Sequence, residues 1–272
     1  MSVFRTQEGR AAICGGEVDY VAFGSGERAL VMIPGLVLGL RGVKGSALSL
    51  ALSYRCFAKD WRVYMFNARE ELPEGFGVKD MADDLAAAMS SLGIKSADVL
   101  GVSQGGMVAQ YLTLDHPELV SALVLAVTLS RPNPVTEGCV RRWIALRKKG
   151  ARELMEDVFA AMYSERYMRR WGWMTPLLAA SIKGSDADRF EILARACLSC
   201  DTYSRLGEIK APTLVIGGGK DAVTTPEASR ELAAGIGCEL YMYDELGHSA
   251  YEEGRDFNGR VKSFLLGLRR EQ

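Results

Sequence analysis

The sequence predicts an α/β protein: a mostly parallel central sheet flanked by helices on both faces and interrupted by a helical cap. Strand-like apolar runs alternate with segments of helical periodicity from residue 29 to 127, and again from residue 212 onward. One of these runs, Val99 to Val102, passes through Gly101-Val102-Ser103-Gln104-Gly105-Gly106 into a helix-compatible stretch. From about Leu129 to Leu206 helical segments follow one another with no strand among them.

The elements follow in order. Met1 to Arg10 is largely polar, and residues 11–33 read as two strands with their turns. Glu17 to Phe23 alternates, Gly24-Ser25-Gly26 turns, and Ala29 to Ile33 is apolar throughout, as expected of a central strand covered on both faces. That run ends in Pro34-Gly35-Leu36. Residues 46–58 look helical, and Trp61 to Phe66 is the next strand. Met81, Leu85, Met89 and Leu92 then recur at helical spacing until Gly93 stops them. A helix from Gly106 to Leu114 follows Ser103, and Ser121 to Val127 is another buried strand.

The interruption reads as helices over Val140–Lys148, Ala151–Tyr163, Glu165–Trp171, Pro176–Ile182 and Asp186–Leu198. Arg131-Pro132-Asn133-Pro134 opens it and Lys183-Gly184-Ser185 breaks its last two helices. It carries Trp143, Trp171 and Trp173, candidates for lining an apolar substrate pocket, with packing of lid on core as the alternative. Alternation returns with the strand Pro212–Ile216, the run Gly217-Gly218-Gly219-Lys220-Asp221, a helix Thr225–Ile236, the strand Glu239–Tyr243 and a helix Asp256–Arg269. Residues 1–128 and 207–272 thus form the core and 129–206 the cap.

Composition narrows the function. In 272 residues, 33 basic side chains nearly balance 34 acidic ones, which leaves no electrostatic footprint for nucleic acid or an anionic membrane. Small molecules are the expected partners, and a homodimer is left open. No apolar run reaches the roughly 18 residues of a membrane span, and the N-terminus lacks the apolar core of a signal peptide, so the chain reads as cytoplasmic. Six scattered cysteines read as reduced thiols; the single Cys197-Leu198-Ser199-Cys200 pair has no second pair or histidine nearby to make a metal site.

The chemistry points to Ser103. A serine at a sharp strand-to-helix turn needs small neighbours, which Gly101 and Gly105 supply, and Gly106 lets the helix pack close against the sheet. The helix N-terminus aims free N–H groups at any negative charge that develops beside the serine. A hydroxyl is a poor nucleophile at neutral pH and needs a base held in the right tautomer by a partner. The chain has two histidines: His116 closes the helix after Ser103, whereas His248 lies just past the last strand, where its loop can lean over the serine. Asp221 follows a strand at the same edge of the sheet, which is where open α/β sheets bind ligands. A plain tight turn at Ser103, a turn aspartate and a structural histidine are the bland alternatives. Acyl transfer also needs two donors for the oxyanion; the N–H groups of Gln104 and Leu36 are the candidates.

On these motifs the chain resembles the α/β-hydrolase fold family, in particular its esterase, lactonase and carbon–carbon hydrolase branch with a helical cap. The resemblance runs through Pro34-Gly35, Gly101 to Gly106, the strand from Pro212 to Ile216 leading to Asp221, and Gly247-His248. It implies a cap between strands 6 and 7, Ser103 as nucleophile, His248 as base and then acid, Asp221 as orienting carboxylate, and Leu36 and Gln104 N–H as the oxyanion hole. Two positions depart from the usual pattern: Pro34-Gly35 stands where members often have His-Gly, and Asn67-Ala68-Arg69-Glu70 where they often have Asp-x-Arg-Gly.

The expectation is a serine hydrolase that cleaves a small carboxylic ester, thioester or lactone through an acyl-enzyme, with no metal or cofactor. The same triad could serve a carbon–carbon bond hydrolase of dicarbonyl compounds. A binding protein on a hydrolase scaffold is the rival outside enzymology.

Overall fold

A computed structural model describes residues 4–36, 42–180 and 187–268. Eight strands form one sheet: β1 (Gln7–Ile13), β2 (Gly16–Phe23), β3 (Arg28–Ile33), β4 (Trp61–Phe66), β5 (Ala97–Val102), β6 (Val120–Ala126), β7 (Thr213–Gly218) and β8 (Glu239–Tyr243). Their order across the sheet is β1-β2-β4-β3-β5-β6-β7-β8. The six strands from β4 to β8 are parallel, while β2 runs antiparallel to both β1 and β4.

The continuous apolar runs are explained by the two faces they fill. In β3, Val31 and Ile33 enter one hydrophobic cluster while Leu30 and Met32 enter the other. The first face is covered by α2 (Val78–Ser91), α3 (Gln104–Asp115) and, further along, α9 (Pro226–Ile236); the second by α1 (Ala47–Ser53) and α11 (Phe257–Gly267). Between β6 and β7 lie α4 (Pro134–Lys149), α5 (Ala151–Met162), α6 (Glu165–Trp171), α7 (Thr175–Ala180) and α8 (Ala187–Ala196). Their apolar residues, among them Trp143, Leu154, Val158 and Leu193, join the first cluster, so the inserted helices share one core with α2 and α3. A short helix α10 (Ala250–Glu253) precedes α11. None of the described helices is long and apolar enough to cross a membrane.

Register sets the site. Ile33 lies opposite Gly101, Val102 opposite Ala126, Ala126 opposite Ile216 and Gly218 opposite Tyr243. The loops that leave β3, β5, β6, β7 and β8 therefore emerge along one edge.

Several boundaries differ from expectation, each for a local reason. Three strands, not two, precede residue 34: β1 is an edge strand with Ala11 as its one buried residue, so it carries no hydrophobic alternation to read. The helix expected over 46–58 stops at Ser53. The helix read from Met81 begins at Val78, where the Asp80 carboxylate reaches back to accept from Gly77 N–H (2.8 Å). The helix read from Val140 begins at Pro134, where a missing N–H costs nothing and Asn133 caps Thr136 N–H (2.9 Å). Strand β7 runs on through Gly217 and Gly218, read as loop. The break at Lys183-Gly184-Ser185 lies outside the described residues, as do Ile182, Asp186 and Arg269 at helix ends.

Gly105 shows how tightly the turn is packed. A Cβ there would sit 2.0 Å from the Ile33 carbonyl oxygen and 2.7 Å from that of Pro34. Both obstacles are backbone and neither can swing aside. Gly105→Ala is expected to lower stability by about 3 kcal/mol or more, toward the severe end of overpacking, read as a lower urea midpoint.

Candidate active site

Ser103 joins β5 to α3 with φ +53° and ψ −120°, a left-handed conformation that a side chain rarely adopts. The surroundings hold it there: Ser103 N–H donates to Ala126 O (2.9 Å), and Ser103 O accepts from Gly106 N–H (2.9 Å) and the Thr128 hydroxyl (2.7 Å). A Cβ on Gly101 would meet the backbone of Gly105 and Gly106 at 2.5 and 2.7 Å, as the crowding argument requires. Gly106, by contrast, clears the Thr128 side chain (2.6 Å) and not the sheet itself. Its small size admits the threonine that anchors Ser103 O.

The strand tips bring together the three residues singled out in the sequence. His248 Nε2 lies 2.9 Å from Ser103 Oγ, and His248 Nδ1 lies 2.9 Å from Asp221 Oδ2. Ser103 is half-buried, while His248 and Asp221 are 2% and 4% exposed. Asp221 is held from behind: Val223 N–H (2.8 Å) and Thr224 N–H (2.9 Å) donate to Oδ1, and the Thr224 hydroxyl (2.8 Å) to Oδ2. Burial pushes the Asp221 carboxyl up, but the His248 charge, the imidazole hydrogen bond and the two backbone donors outweigh it and hold it below the usual carboxylate range. An ionised Asp221 accepts a hydrogen bond from Nδ1–H and leaves Nε2 free to accept from the Ser103 hydroxyl.

The loop that carries His248 is gripped from both sides. A Cβ on Gly218 would lie 2.2 Å from Gly247 O, so β7 presses directly against it. From the inserted helices, Met162 O accepts from Ser249 N–H (2.9 Å), the Tyr163 hydroxyl donates to Glu252 (2.5 Å), and Ser164 N–H donates to Glu253 (2.9 Å). Burial holds the Glu252 carboxyl above its ordinary value.

Both candidate oxyanion donors are near the serine. A Cβ on Gly35 would come within 3.3 Å of Ser103 Cβ and 3.8 Å of its Oγ, so the Pro34–Leu36 loop abuts the hydroxyl, and Leu36 is buried. Gln104 opens α3, where its N–H has no intrahelical acceptor. The Gln104 side chain turns away to donate to Leu193 O (2.5 Å) and the Cys197 thiol (3.1 Å).

The tryptophans are placed differently from one another. Trp143 is buried in the core cluster with its indole N–H donating to Asp157 (2.8 Å), which is the packing alternative. Trp171 and Trp173 are 40% and 67% exposed, and Arg170 lies over the Trp171 ring. His116 caps α3 beside Asp83. Arg69 pairs with Asp84 of α2, its Nε 2.7 Å from Oδ2. Burial pushes the Cys197 and Cys200 thiols up to about 12 each, so neither is poised as a thiolate. No group of three or more His, Cys, Asp or Glu among the described residues could hold a metal ion.

Sequence reasoning missed Thr128, Thr224 and Arg189. Thr224 lies three residues past Asp221, one beyond the Val223 N–H that closes an Asx turn, and was within reach of pattern. Thr128 and Arg189 act across the fold and leave no local signal: the Arg189 guanidinium donates to Arg69 O (2.8 Å), Glu70 O (2.9 Å) and Ala68 O (3.2 Å), fastening α8 to the loop after β4.

Known proteins are similar to this chain in sequence and in structure. A curated relative named "Putative carbamate hydrolase RutD" from Rhizobium rhizogenes is 26% identical over 239 residues, spanning 82% of this chain and 90% of that protein. A 2-hydroxy-6-oxononadienedioate/2-hydroxy-6-oxononatrienedioate hydrolase from Klebsiella pneumoniae is 31% identical over 203 residues, 66% of each chain. Among solved structures, the enol-lactonase from Burkholderia xenovorans superposes with a TM-score of 0.80 at 25% identity, covering 95% of this chain and 100% of that one. The family model for the alpha/beta hydrolase fold matches residues 28–255. With the sheet order, the elbow at Ser103 and that match in hand, the chain belongs to the alpha/beta hydrolase family.

Proposed function

We propose that the protein is a serine hydrolase that cleaves a small carboxylic ester, thioester or lactone through an acyl-enzyme on Ser103. The observation that supports this reading above all is the unbroken chain from Ser103 Oγ through His248 to Asp221, at 2.9 Å for each link. Ser103 Oγ attacks the carbonyl carbon as its proton passes to His248 Nε2. The carbonyl oxygen becomes an oxyanion that accepts from Gln104 N–H and Leu36 N–H, donors worth a few kcal/mol each. The tetrahedral adduct collapses as His248 gives the proton to the leaving oxygen or sulfur. Water, deprotonated by the same imidazole, then releases the acid and restores the serine. No step calls for a metal or cofactor.

The Klebsiella relative's name favours a second reading on the same residues: hydrolysis of a carbon–carbon bond in a dicarbonyl compound, with carbon as the group that is protonated. The carbamate hydrolase relatives point to a third acyl class, with nitrogen in that place. A panel of purified substrates separates the three. The expected result is turnover of short p-nitrophenyl esters and covalent labelling by a fluorophosphonate that is lost in His248→Ala. A labelled enzyme that turns over ring-fission products or carbamates but no ester would move the assignment within the family. No labelling beside tight ligand binding would make the protein a receptor.

A further inference from the structure

A partly open pocket lies beside the nucleophile turn. Met32, Ile33 and Phe66 from the strands, Leu85 from α2, Gln104 from α3 and Leu193 from α8 are in its wall. Several polar groups there are engaged with the protein. Asp84 is held by Arg69, Asn67 Oδ1 accepts from Val43 N–H (2.8 Å), and the Gln104 amide donates to Leu193 O. What remains on offer is mostly apolar surface.

The sheet order decides which half of a substrate meets this surface. The wall draws on β2, β3 and β4, all on one side of β5. Asp221 and His248 follow β7 and β8, on the other side. The leaving group must stand next to His248 Nε2 to receive its proton, so it occupies the β7–β8 side. The carbonyl oxygen is fixed between the Leu36 and Gln104 N–H groups. The substituent left over, the acyl chain, is directed to the β3–β4 side, where Pro34 and Gln104 belong at once to the oxyanion loop or elbow and to the cavity wall.

We infer that this cavity is the acyl subsite and that it takes an uncharged aliphatic chain. This rests on the acyl-enzyme reading above. Selectivity then resides in the acid and not in the alcohol: each methylene buried adds about three- to fourfold to kcat/KM.

The test compares p-nitrophenyl acetate, butyrate and hexanoate with acetates of alcohols of rising length. The expected result is a rise on the order of 100-fold from acetate to hexanoate, four methylenes longer, against a change of about twofold or less across the alcohols. Leu85→Phe, which fills the cavity from α2, should lower the hexanoate-to-acetate ratio of kcat/KM about tenfold. Met81→Phe, at the cavity's half-buried edge, carries the same test should Leu85→Phe fail to fold. A flat acyl profile, a preference that follows the alcohol, or an equal loss on both esters in the variant overturns the assignment. These outcomes differ from failure of the acyl-enzyme reading, in which acetate too is left intact and the fluorophosphonate does not label the wild-type protein.

Discussion

In Ser103→Ala, hydrolysis of p-nitrophenyl acetate is expected to fall by a factor on the order of 10⁴ to 10⁶, while the thermal midpoint stays close to that of the wild type. The substitution removes one oxygen from a half-buried position and keeps the backbone, with its positive φ, as it was. It takes away the atom that attacks and spares the donors at Leu36 and Gln104, so a residue of rate above water should survive. Because serine and imidazole act as one unit, Ser103→Ala/His248→Ala should be no slower than either single variant. Unchanged turnover in Ser103→Ala, or a double loss equal to the product of the singles, would remove the serine from the mechanism.

The second large effect belongs to Asp221→Asn, expected to reduce kcat by about 10⁴ with little change in KM. The amide can donate where the carboxylate only accepts, so the imidazole is driven toward the tautomer with its proton on Nε2, the atom that must receive one from Ser103. The same carboxylate gives a test in stability. Its proton is held less tightly in the folded protein than in the unfolded chain. The stabilisation it brings is therefore in full force above the unfolded value of about 3.9 and drains away as pH falls through the lower folded value. Thermal midpoints of wild type and Asp221→Asn should accordingly converge as pH drops from about 5 to 3. A gap that widens on acidification would reverse the sign assigned here.

Much of this was legible in the chain because the signals are local and physical. The glycines at 101 and 105 answer to backbone contacts of under 3 Å, so the pattern around Ser103 reports a steric requirement. Residues apolar on both faces of β3, β5 and β6 announced a covered parallel sheet. Ser103, Asp221 and His248 could be paired because each follows a strand whose tip lies on the same edge. Illegible features were of two kinds. Edge strand β1 buries too little to imprint a period, and Pro134 and Asp80 begin helices by capping chemistry ahead of the first periodic residue. Contacts between distant segments, such as Thr128 on Ser103 O or Arg189 on the carbonyls of residues 68–70, are fixed by tertiary geometry and leave no mark on either stretch alone. The tryptophans teach the complementary lesson, since Trp143 is committed to Asp157 and aromatic content by itself does not announce a pocket.

The hydrogen bonds between Met162, Tyr163 and Ser164 and the segment Ser249–Glu253 bear on engineering. Insertions between strands are commonly regarded as modules that a lineage can trade to acquire new substrates. Here the guest helices grasp the very turn that presents the proton carrier, so grafting a foreign insertion would also loosen the imidazole. A graft between β6 and β7 therefore has to reproduce the contacts of residues 162–164 with residues 249–253, or specificity is gained at the expense of rate.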